Sequence, residues 1–246
     1  YEEALSLFDR SLKINEKSLG STHLQVATAA SNLAGIYADL GRYLESQKQY
    51  ERALFIVEQA AGTDNPGFAT TLRNLAHLYA LQYRYDEALL IYKRSLEIRD
   101  KVLGPDHPDV AIVLNDLGNI KRSLGLYGEA ETHYQLSLAM YEKSLNPKHP
   151  RVAHVINNLG NLYATQGHYQ KAIAYFDQAL VILEATLGRK DVTYSNVLHN
   201  KAGLHFAKNE FVEASRLYEL ALDIDKKALG VDHPTVAQGQ ITLGAI

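Results

Sequence analysis

A repeat of 42 residues is the feature that most constrains how this chain folds. The dipeptide His-Pro begins at His107, His149 and His233, and Asn65-Pro66 stands one period before His107. The register holds along the chain without an insertion or a deletion. Periods of roughly 20 to 50 residues are typical of stacked repeat proteins, whose units pack against their sequence neighbours. We therefore expect an array of repeats, whose function depends on the surface that the array presents.

Each period contains two stretches of helical periodicity. In the period that starts at His149, Pro150 suits the first position of a helix, where no backbone donor is needed. Apolar residues from Val152 to Tyr163 then follow the roughly 3.6-residue spacing of a helix. Gly167-His168-Tyr169 interrupts this pattern, and a second periodic run extends from Ala172 to Leu183. The unit is therefore predicted to be two antiparallel helices joined by a short turn.

Small and aromatic residues recur at fixed positions of these predicted helices. The small residues of the first helix are Ala34, Ala76, Gly118, Gly160 and Ala202. The second helix has Ser46, Ala88, Ala130, Ala172 and Ala214, followed by Tyr50, Tyr92, Tyr134, Phe176 and Tyr218. Small side chains in register let paired helices approach closely, and the rings fill the adjacent gaps. We expect these aromatic residues in the core rather than on a surface that stacks nucleic-acid bases.

Composition narrows the functional class. The chain has no cysteine, which excludes disulfides, thiol catalysis and thiolate metal sites and favours a cytoplasmic location. A formal net charge of −3 argues against a nucleic-acid partner, because such proteins present a basic surface. No stretch approaches the roughly 20 apolar residues of a membrane span, so no membrane partner is expected. No cofactor is expected either, because the chain has no cofactor-binding motif.

The pattern of small residue, aromatic residue, glycine turn, alanine and aromatic residue resembles the tetratricopeptide repeat. That repeat commonly has about 34 residues. The longer period of 42 extends the second helix and adds a Leu-Gly-x-x-His-Pro link, a form similar to the repeats of kinesin light chains. The resemblance covers the whole chain. It implies an all-α fold, a right-handed α-solenoid of antiparallel helix pairs.

The register divides residues 1–246 into one predicted array. Residues 1–22 are a lone second helix, helix pairs occupy 23–64, 65–106, 107–148, 149–190 and 191–232, and 233–246 hold a truncated first helix. Neither end has a polar capping helix, which repeat arrays need for solubility. Either the native protein continues in both directions, or the uncapped ends contact other molecules. Self-association through these ends is therefore one predicted mode of assembly.

Polar residues of the first helices are the candidate binding surface, because the resemblance implies that first helices line a concave groove. One recurring position holds Ser31, Arg73, Asn115, Asn157 and His199, and another holds Gly35, His77, Asn119, Asn161 and Gly203. A flanking position holds Thr28, Thr70, Ile112, His154 and Asn196. The candidate peptide-binding residues are Arg73, His77, Asn115, Asn119, Arg122, His154, Asn157, Asn161, Asn196 and His199.

Four asparagines form a predicted two-by-two block: Asn115, Asn119, Asn157 and Asn161. Each amide donates and accepts, so the block suits the backbone of an extended peptide from a partner protein. The alternative is that these asparagines only bond to adjacent helices. Basic groups in the groove, above all Arg73, favour an acidic peptide, although a solvated helix arginine explains Arg73 equally well.

A second polar row is interpreted as structural. Asn32, Asn74, Asp116, Asn158 and Asn200 lie one residue after the first row and turn toward the neighbouring unit. We predict that they make hydrogen bonds between repeats.

Catalysis is not expected, and neither is a metal site. The histidines of the His-Pro links are explained by helix capping, and no His-Glu-x-x-His, phosphate-loop or nucleophile motif is present. The sequence thus predicts a protein-interaction module that binds an extended, acidic peptide. The alternative is an architectural, self-associating segment of a larger protein.

Overall fold

Twelve α-helices form the regular structure of residues 2–245, which are the residues described in this computed structural model. The chain divides into two compact units between Leu124 and Gly125. The first unit contains α1 (Glu2–Leu19), α2 (Leu24–Asp39), α3 (Tyr43–Ala61), α4 (Pro66–Leu81), α5 (Tyr85–Leu103) and α6 (Pro108–Ser123). The second contains α7 (Tyr127–Ser144), α8 (Pro150–Thr165), α9 (Tyr169–Thr186), α10 (Val192–Ala207), α11 (Phe211–Leu229) and α12 (Pro234–Gly244).

Four of the five predicted helix pairs lie within one unit, and these four form. In the first unit α2 packs on α3 and α4 on α5, and in the second unit α8 packs on α9 and α10 on α11. Turns of three residues, such as 40–42 and 166–168, reverse the chain within each pair. We call α2, α4, α6, α8, α10 and α12 the first helices, and the odd-numbered helices the second helices. The predicted all-α fold of helix pairs is confirmed, whereas a single array over the whole chain stays a prediction.

The predicted aromatic core positions are buried except at Tyr218, which is half-buried. Tyr92, Tyr134 and Phe176 are among the largest fully buried side chains, and the small residues that face them are buried as well. The Ser46 hydroxyl donates to the carbonyl oxygen of Ala34 at 2.8 Å, which ties α3 to α2. The described part of the chain contains no helix long and apolar enough to cross a membrane.

Gly160 shows how closely a pair packs. A Cβ atom on Gly160 would lie 2.6 Å from Cε1 of Phe176, whereas a Cβ on Gly35 would meet only the Tyr50 hydroxyl at 3.8 Å. Gly-to-Ala exchange inside a helix ordinarily stabilises by about 1 kcal/mol. We expect that gain for Gly35→Ala, and for Gly160→Ala a loss of about 1–3 kcal/mol from overpacking.

Urea denaturation of the two variants and the parent protein measures both the expected stabilisation and the expected destabilisation. Equal stabilisation by the two substitutions would contradict the close approach of α8 and α9.

Helix capping by the link residues is confirmed. Nδ1 of His149 accepts a hydrogen bond from the backbone N–H of Arg151 at 3.1 Å, and His23, His107 and His233 cap α2, α6 and α12 in the same way. Where histidine is replaced, Asn65 and Asp191 cap with a side-chain oxygen at 2.7 Å from the amide nitrogen. Each of the six links that precede a first helix thus supplies one side-chain acceptor that caps the start of that helix.

His149→Ala should lower the free energy of unfolding by about 1 kcal/mol, the ordinary cost of a lost N-cap. His149→Asn keeps an acceptor at the position where Asn65 already serves, so it should stay within about 0.5 kcal/mol of the parent. Thermal unfolding followed by circular dichroism distinguishes the two. If both variants were destabilised equally, packing of the imidazole ring, rather than its capping hydrogen bond, would explain why histidine recurs before the first helix of the repeat.

Candidate functional site

Each unit has a cleft between the first helices of successive pairs. In the first unit the α2–α4 cleft has a volume of about 340 Å³. Its polar lining comes from Thr28, Ser31, Asn32, Thr70 and Asn74. Val57 of α3 and Ala27 of α2 supply apolar surface. The cleft therefore presents hydroxyl and amide groups beside an apolar wall.

The second unit has a cleft of the same construction. This α10–α12 cleft has a volume of about 500 Å³ and is lined by His199 of α10 and by residues of α12. The α12 residues are Pro234, Thr235, Gln238, Gly239 and Thr242. None of these lining residues is acidic.

The clefts contain the positions that the sequence analysis singled out. Thr28, Thr70 and Gln238 occupy the recurring position of His154 and Asn196. Ser31 and His199 occupy the position of Arg73, Asn115 and Asn157. The structure thus brings these two positions to the openings between first helices, once in each unit.

Side-chain hydrogen bonds join other neighbouring first helices, at the equivalent positions of the repeat. Nε of Arg73 on α4 lies 2.6 Å from Oδ2 of Asp116 on α6. Nδ2 of Asn200 on α10 donates to Oδ1 of Asn157 on α8 at 2.9 Å. The predicted hydrogen bonds between repeats are confirmed for Asp116 and Asn200. Arg73 is therefore held in an ion pair, with a quarter of its side chain exposed, rather than being a solvated helix arginine.

The two clefts lie where such a bridge is missing. In the α2–α4 cleft, Ser31 is too short to reach the Asn74 amide as Arg73 reaches Asp116, and the described residues show no hydrogen bond between them. In the α10–α12 cleft, His199 binds Asp225 of α11 instead of Thr242. The residue at one recurring position therefore decides whether a side-chain hydrogen bond bridges the neighbouring first helices.

The other predicted peptide-binding residues differ in accessibility. His77, His154 and Asn196 are exposed, and Asn119, Arg122 and Asn161 are partly exposed. Asn115 is only 3% exposed. The four asparagines of the predicted block fall on α6 of the first unit and α8 of the second, so the block itself stays a prediction.

Asp225 is a functional candidate that the sequence analysis missed. Its carboxylate is fully buried, and it accepts hydrogen bonds from the Ser195 hydroxyl and from Nε2 of His199, the latter at 2.8 Å. The Tyr218 ring packs against His199 with centroids 5.7 Å apart, and burial raises the pKa of Tyr218. One sequence signal marks the position: it holds Asn15, Val57, Arg99, Tyr141 and Leu183 in the other repeats and an acid only at Asp225.

Ser195, His199 and Asp225 do not form a nucleophilic triad. In such a triad the imidazole lies between the serine and the carboxylate and takes the serine proton. Here the Ser195 hydroxyl donates directly to Asp225, and so does the imidazole. Among residues 2–245, no three His, Cys, Asp or Glu side chains are arranged to hold a metal ion.

Paired helices in 42-residue register, with polar clefts between first helices, define a helical repeat protein. The family model of the tetratricopeptide repeat matches residues 1–59, 25–101, 67–143 and 109–185, and a second model of the same repeat matches 196–235. The chain therefore belongs to the tetratricopeptide repeat family. No functionally curated protein matches it significantly.

Solved structures share this fold. BtubC (BKLC) from P. vanneervenii is 25% identical, with a TM-score of 0.71 over 95% of this chain and 93% of that one. The Rap conjugation gene regulator of plasmid pLS20, in complex with the Phr* peptide, has a TM-score of 0.76 at 15% identity, over 90% of this chain and 59% of that one. A Podosopora anserina kinesin-light-chain candidate with TPR-like repeats is 22% identical, with a TM-score of 0.62 over 84% and 98%. Family and fold together identify a protein–protein interaction module.

Proposed function

We propose that this protein binds an extended peptide segment of a partner protein in the clefts between its first helices. The observation that carries the proposal is the construction of the α2–α4 and α10–α12 clefts, in which hydrogen-bonding side chains line an opening between helices. Clefts of about 300–1,000 Å³ are the usual size of ligand sites in proteins. Both clefts fall within that range.

The lining of the α2–α4 cleft suits an extended backbone. A peptide strand that is not in a sheet exposes an N–H and a C=O at each residue, and recognition needs partners for both. Asn32 and Asn74 each offer a donor and an acceptor, and the Ser31 hydroxyl offers both as well. The apolar surface of Val57 and Ala27 accommodates one side chain of the peptide.

The second unit also has exposed amides on its first helices, outside the lining of the α10–α12 cleft. Asn196 is exposed and Asn161 is partly exposed on α10 and α8, the two first helices of complete pairs in this unit. Asn157 shares its amide with Asn200 and so supports the helix spacing as well. We assign ligand contact to Asn161 and Asn196 and treat Asn157 as a positioning residue.

The relation to the Rap regulator supports the choice of a peptide ligand. That protein holds a peptide, and its fold matches 90% of this chain. The identity is too low to transfer any residue, so the proposal takes only the ligand class from it. The residues come from the clefts of this chain.

Closing the α2–α4 cleft tests the proposal with little change to the fold. Ser31→Arg combined with Asn74→Asp installs the residues that bridge α4 and α6 as Arg73 and Asp116. The control is Ser6→Arg combined with Gln59→Glu, which places one basic and one acidic residue at exposed sites on α1 and α3. Parent, variant and control are screened against a random peptide library. We expect peptides enriched by the parent and control and lost by the variant.

The same screen includes Gly239→Val, which fills the α10–α12 cleft with the residue found at Val155 and Val197. If a variant that combines the substitutions in both clefts retained every peptide that the parent enriches, the proposed binding site would be wrong.

A further inference from the structure

Tyr83 lies in the turn between α4 and α5, in a backbone conformation that disfavours tyrosine. Its φ angle is 60°, in the left-handed region, where the Cβ atom of an L-residue crowds its own backbone. The equivalent residues of the other turns are of types that tolerate this conformation: Gly41, Gly125, Gly167 and Asn209. The turn therefore contains a strain that a glycine would remove.

Burial does not compensate this strain. Tyr83 is 80% exposed, and its ring contacts one other aromatic ring among residues 2–245, that of Tyr85, with centroids 6.1 Å apart. The two rings meet edge to face at 81°, so at least one face of the Tyr83 ring is open. Strain that the folded chain does not compensate points to a role for the exposed ring.

Exposed residues of two neighbouring turns lie near Tyr83. Leu81 ends α4 and is 42% exposed, and Leu44 on the first turn of α3 is 75% exposed. Asp39 and Asp86 are exposed as well, and neither has a hydrogen bond or an ion pair among residues 2–245. We call these five residues the turn surface.

A contact between the two turns brings the turn surface together. Nη1 of Arg84, the residue after Tyr83, lies 3.5 Å from Oε1 of Gln47, and Gln47 lies one helical turn after Leu44. Exposed apolar side chains thus lie beside unpaired carboxylates within the first unit. Because its charges are acidic, this surface is complementary to a partner that is both apolar and basic.

The same turn shows which basic group fits a tyrosine ring and a carboxylate. The Arg84 guanidinium lies 4.0 Å from the ring centroid of Tyr79 and is paired with Glu87. The preceding turn is built in the same way, from Arg42, Tyr37 and Glu45. Tyr83 and Asp86 offer the same two groups, a ring face and a carboxylate, without an arginine of this chain. Arginine is the cation that both stacks on aromatic rings and pairs with carboxylates.

We propose that the turn surface binds a segment of a partner protein in which an arginine stands beside an aliphatic residue. The guanidinium stacks on the open face of Tyr83 and pairs with Asp86, and the aliphatic side chain packs against Leu44 and Leu81. Asp39 and Asp86 disfavour an acidic segment. The turns form this surface, not the clefts between first helices, so it is a second binding site beyond the proposed function.

Blocked tripeptides test the turn surface directly. The probes are acetyl-Leu-Arg-Leu-amide and acetyl-Leu-Gln-Leu-amide, and NMR follows the methyl signals of Leu44 and Leu81 in the full chain. These signals are assigned by their loss in Leu44→Ala and Leu81→Ala. We expect saturable shifts with the arginine peptide and about three- to fivefold weaker binding of the glutamine peptide, the factor that corresponds to about 0.6–1 kcal/mol. Equal affinities, or no saturable shift with the arginine peptide, overturn the proposal.

Tyr83→Gly separates binding from folding, because the two should change in opposite directions. Removal of the strain should lower the equilibrium constant of unfolding by at least about threefold, and removal of the ring should abolish the response to the arginine peptide. Urea denaturation and the methyl titration measure the two effects. A variant that still binds the arginine peptide would overturn the proposal, and a variant less stable than the parent would contradict the strain on which it rests.

A charge variant tests the role of the carboxylate. Asp86→Asn should weaken binding of the arginine peptide by about three- to fivefold and leave the glutamine peptide unchanged. Glu97→Gln, at an exposed position of the same helix, is the control and should change neither. Equal effects of Asp86→Asn on both peptides would contradict the pairing of Asp86 with the arginine.

A cleft variant separates this site from the proposed function. Ser31→Arg with Asn74→Asp closes the α2–α4 cleft and should leave the response of Leu44 and Leu81 unchanged. Loss of the response in this variant would place the tripeptide in the cleft and overturn the second site. A response at the turn surface without any peptide enriched in the library screen would support the second site and contradict the proposed function alone.

Discussion

Phe176→Ala is expected to lower the free energy of unfolding by about 3–5 kcal/mol, the usual cost of truncating a fully buried aromatic side chain. The Phe176 ring is fully buried on α9 and lies against Gly160 of α8, where even one added methyl would be 2.6 Å from a ring atom. Because the ring is packed this closely, its loss leaves a cavity that two helices border. Urea denaturation followed by circular dichroism measures the change.

Val181→Ala on the same helix is the control for that prediction. Val181 is 69% exposed, so its truncation should change stability by no more than about 0.5 kcal/mol. Similar effects of the two substitutions would mean that α9 does not pack on α8 through Phe176. Since repeat proteins can unfold in parts, the comparison uses the transition midpoints of both probes, fluorescence and circular dichroism.

His199→Ala should be the second large effect, a loss of about 1–3 kcal/mol, because it removes one of two hydrogen-bond donors to the fully buried Asp225 carboxylate. The triple exchange Ser195→Ala, His199→Asn and Asp225→Leu should recover this loss. It installs the residues of the preceding repeat, Ala153, Asn157 and Leu183, whose side chains need no buried charge. Replacing both partners of a buried hydrogen bond by groups that need no such partner can be nearly neutral or stabilising.

The comparison of these two variants decides whether the cluster of Ser195, His199 and Asp225 contributes to stability. A triple variant that is at least as stable as the parent would show that the cluster is not needed for stability. A triple variant less stable than His199→Ala would contradict the argument from the buried carboxylate. Chemical denaturation near neutral pH is sufficient for both measurements.

The features that the sequence predicted correctly are those fixed within one repeat. The helix start at Pro150 follows from local periodicity and turn residues, and the capping role of His149 follows from its place before a helix. Burial of Tyr92 and Phe176 follows from their helical position. Each of these features depends on residues that are close in sequence, so the sequence of one repeat is enough to predict it.

The features that the sequence did not reveal depend on which side chains meet across repeats. Arg73 has the same position as Ser31, and only the contact with Asp116, 43 residues later, shows that it forms a bridge. The Ser195 and His199 pair of α10 meets Asp225 of α11 because three helix positions converge on one buried point. Periodicity identifies an unusual acid at such a point but does not identify its partners.

NMR mapping of a bound peptide tests the proposed function most directly. The highest-affinity peptide from the library screen is titrated into labelled protein, and the side-chain amide signals of Asn74, Asn161 and Asn196 are followed. We expect a saturable shift of Asn74 for a peptide bound to the first unit, or of Asn161 and Asn196 for a peptide bound to the second unit. The exposed amides of Gln59 on α3 and Gln178 on α9 should stay unchanged. Shifts confined to the second-helix amides would place the ligand away from the first-helix clefts and contradict the account.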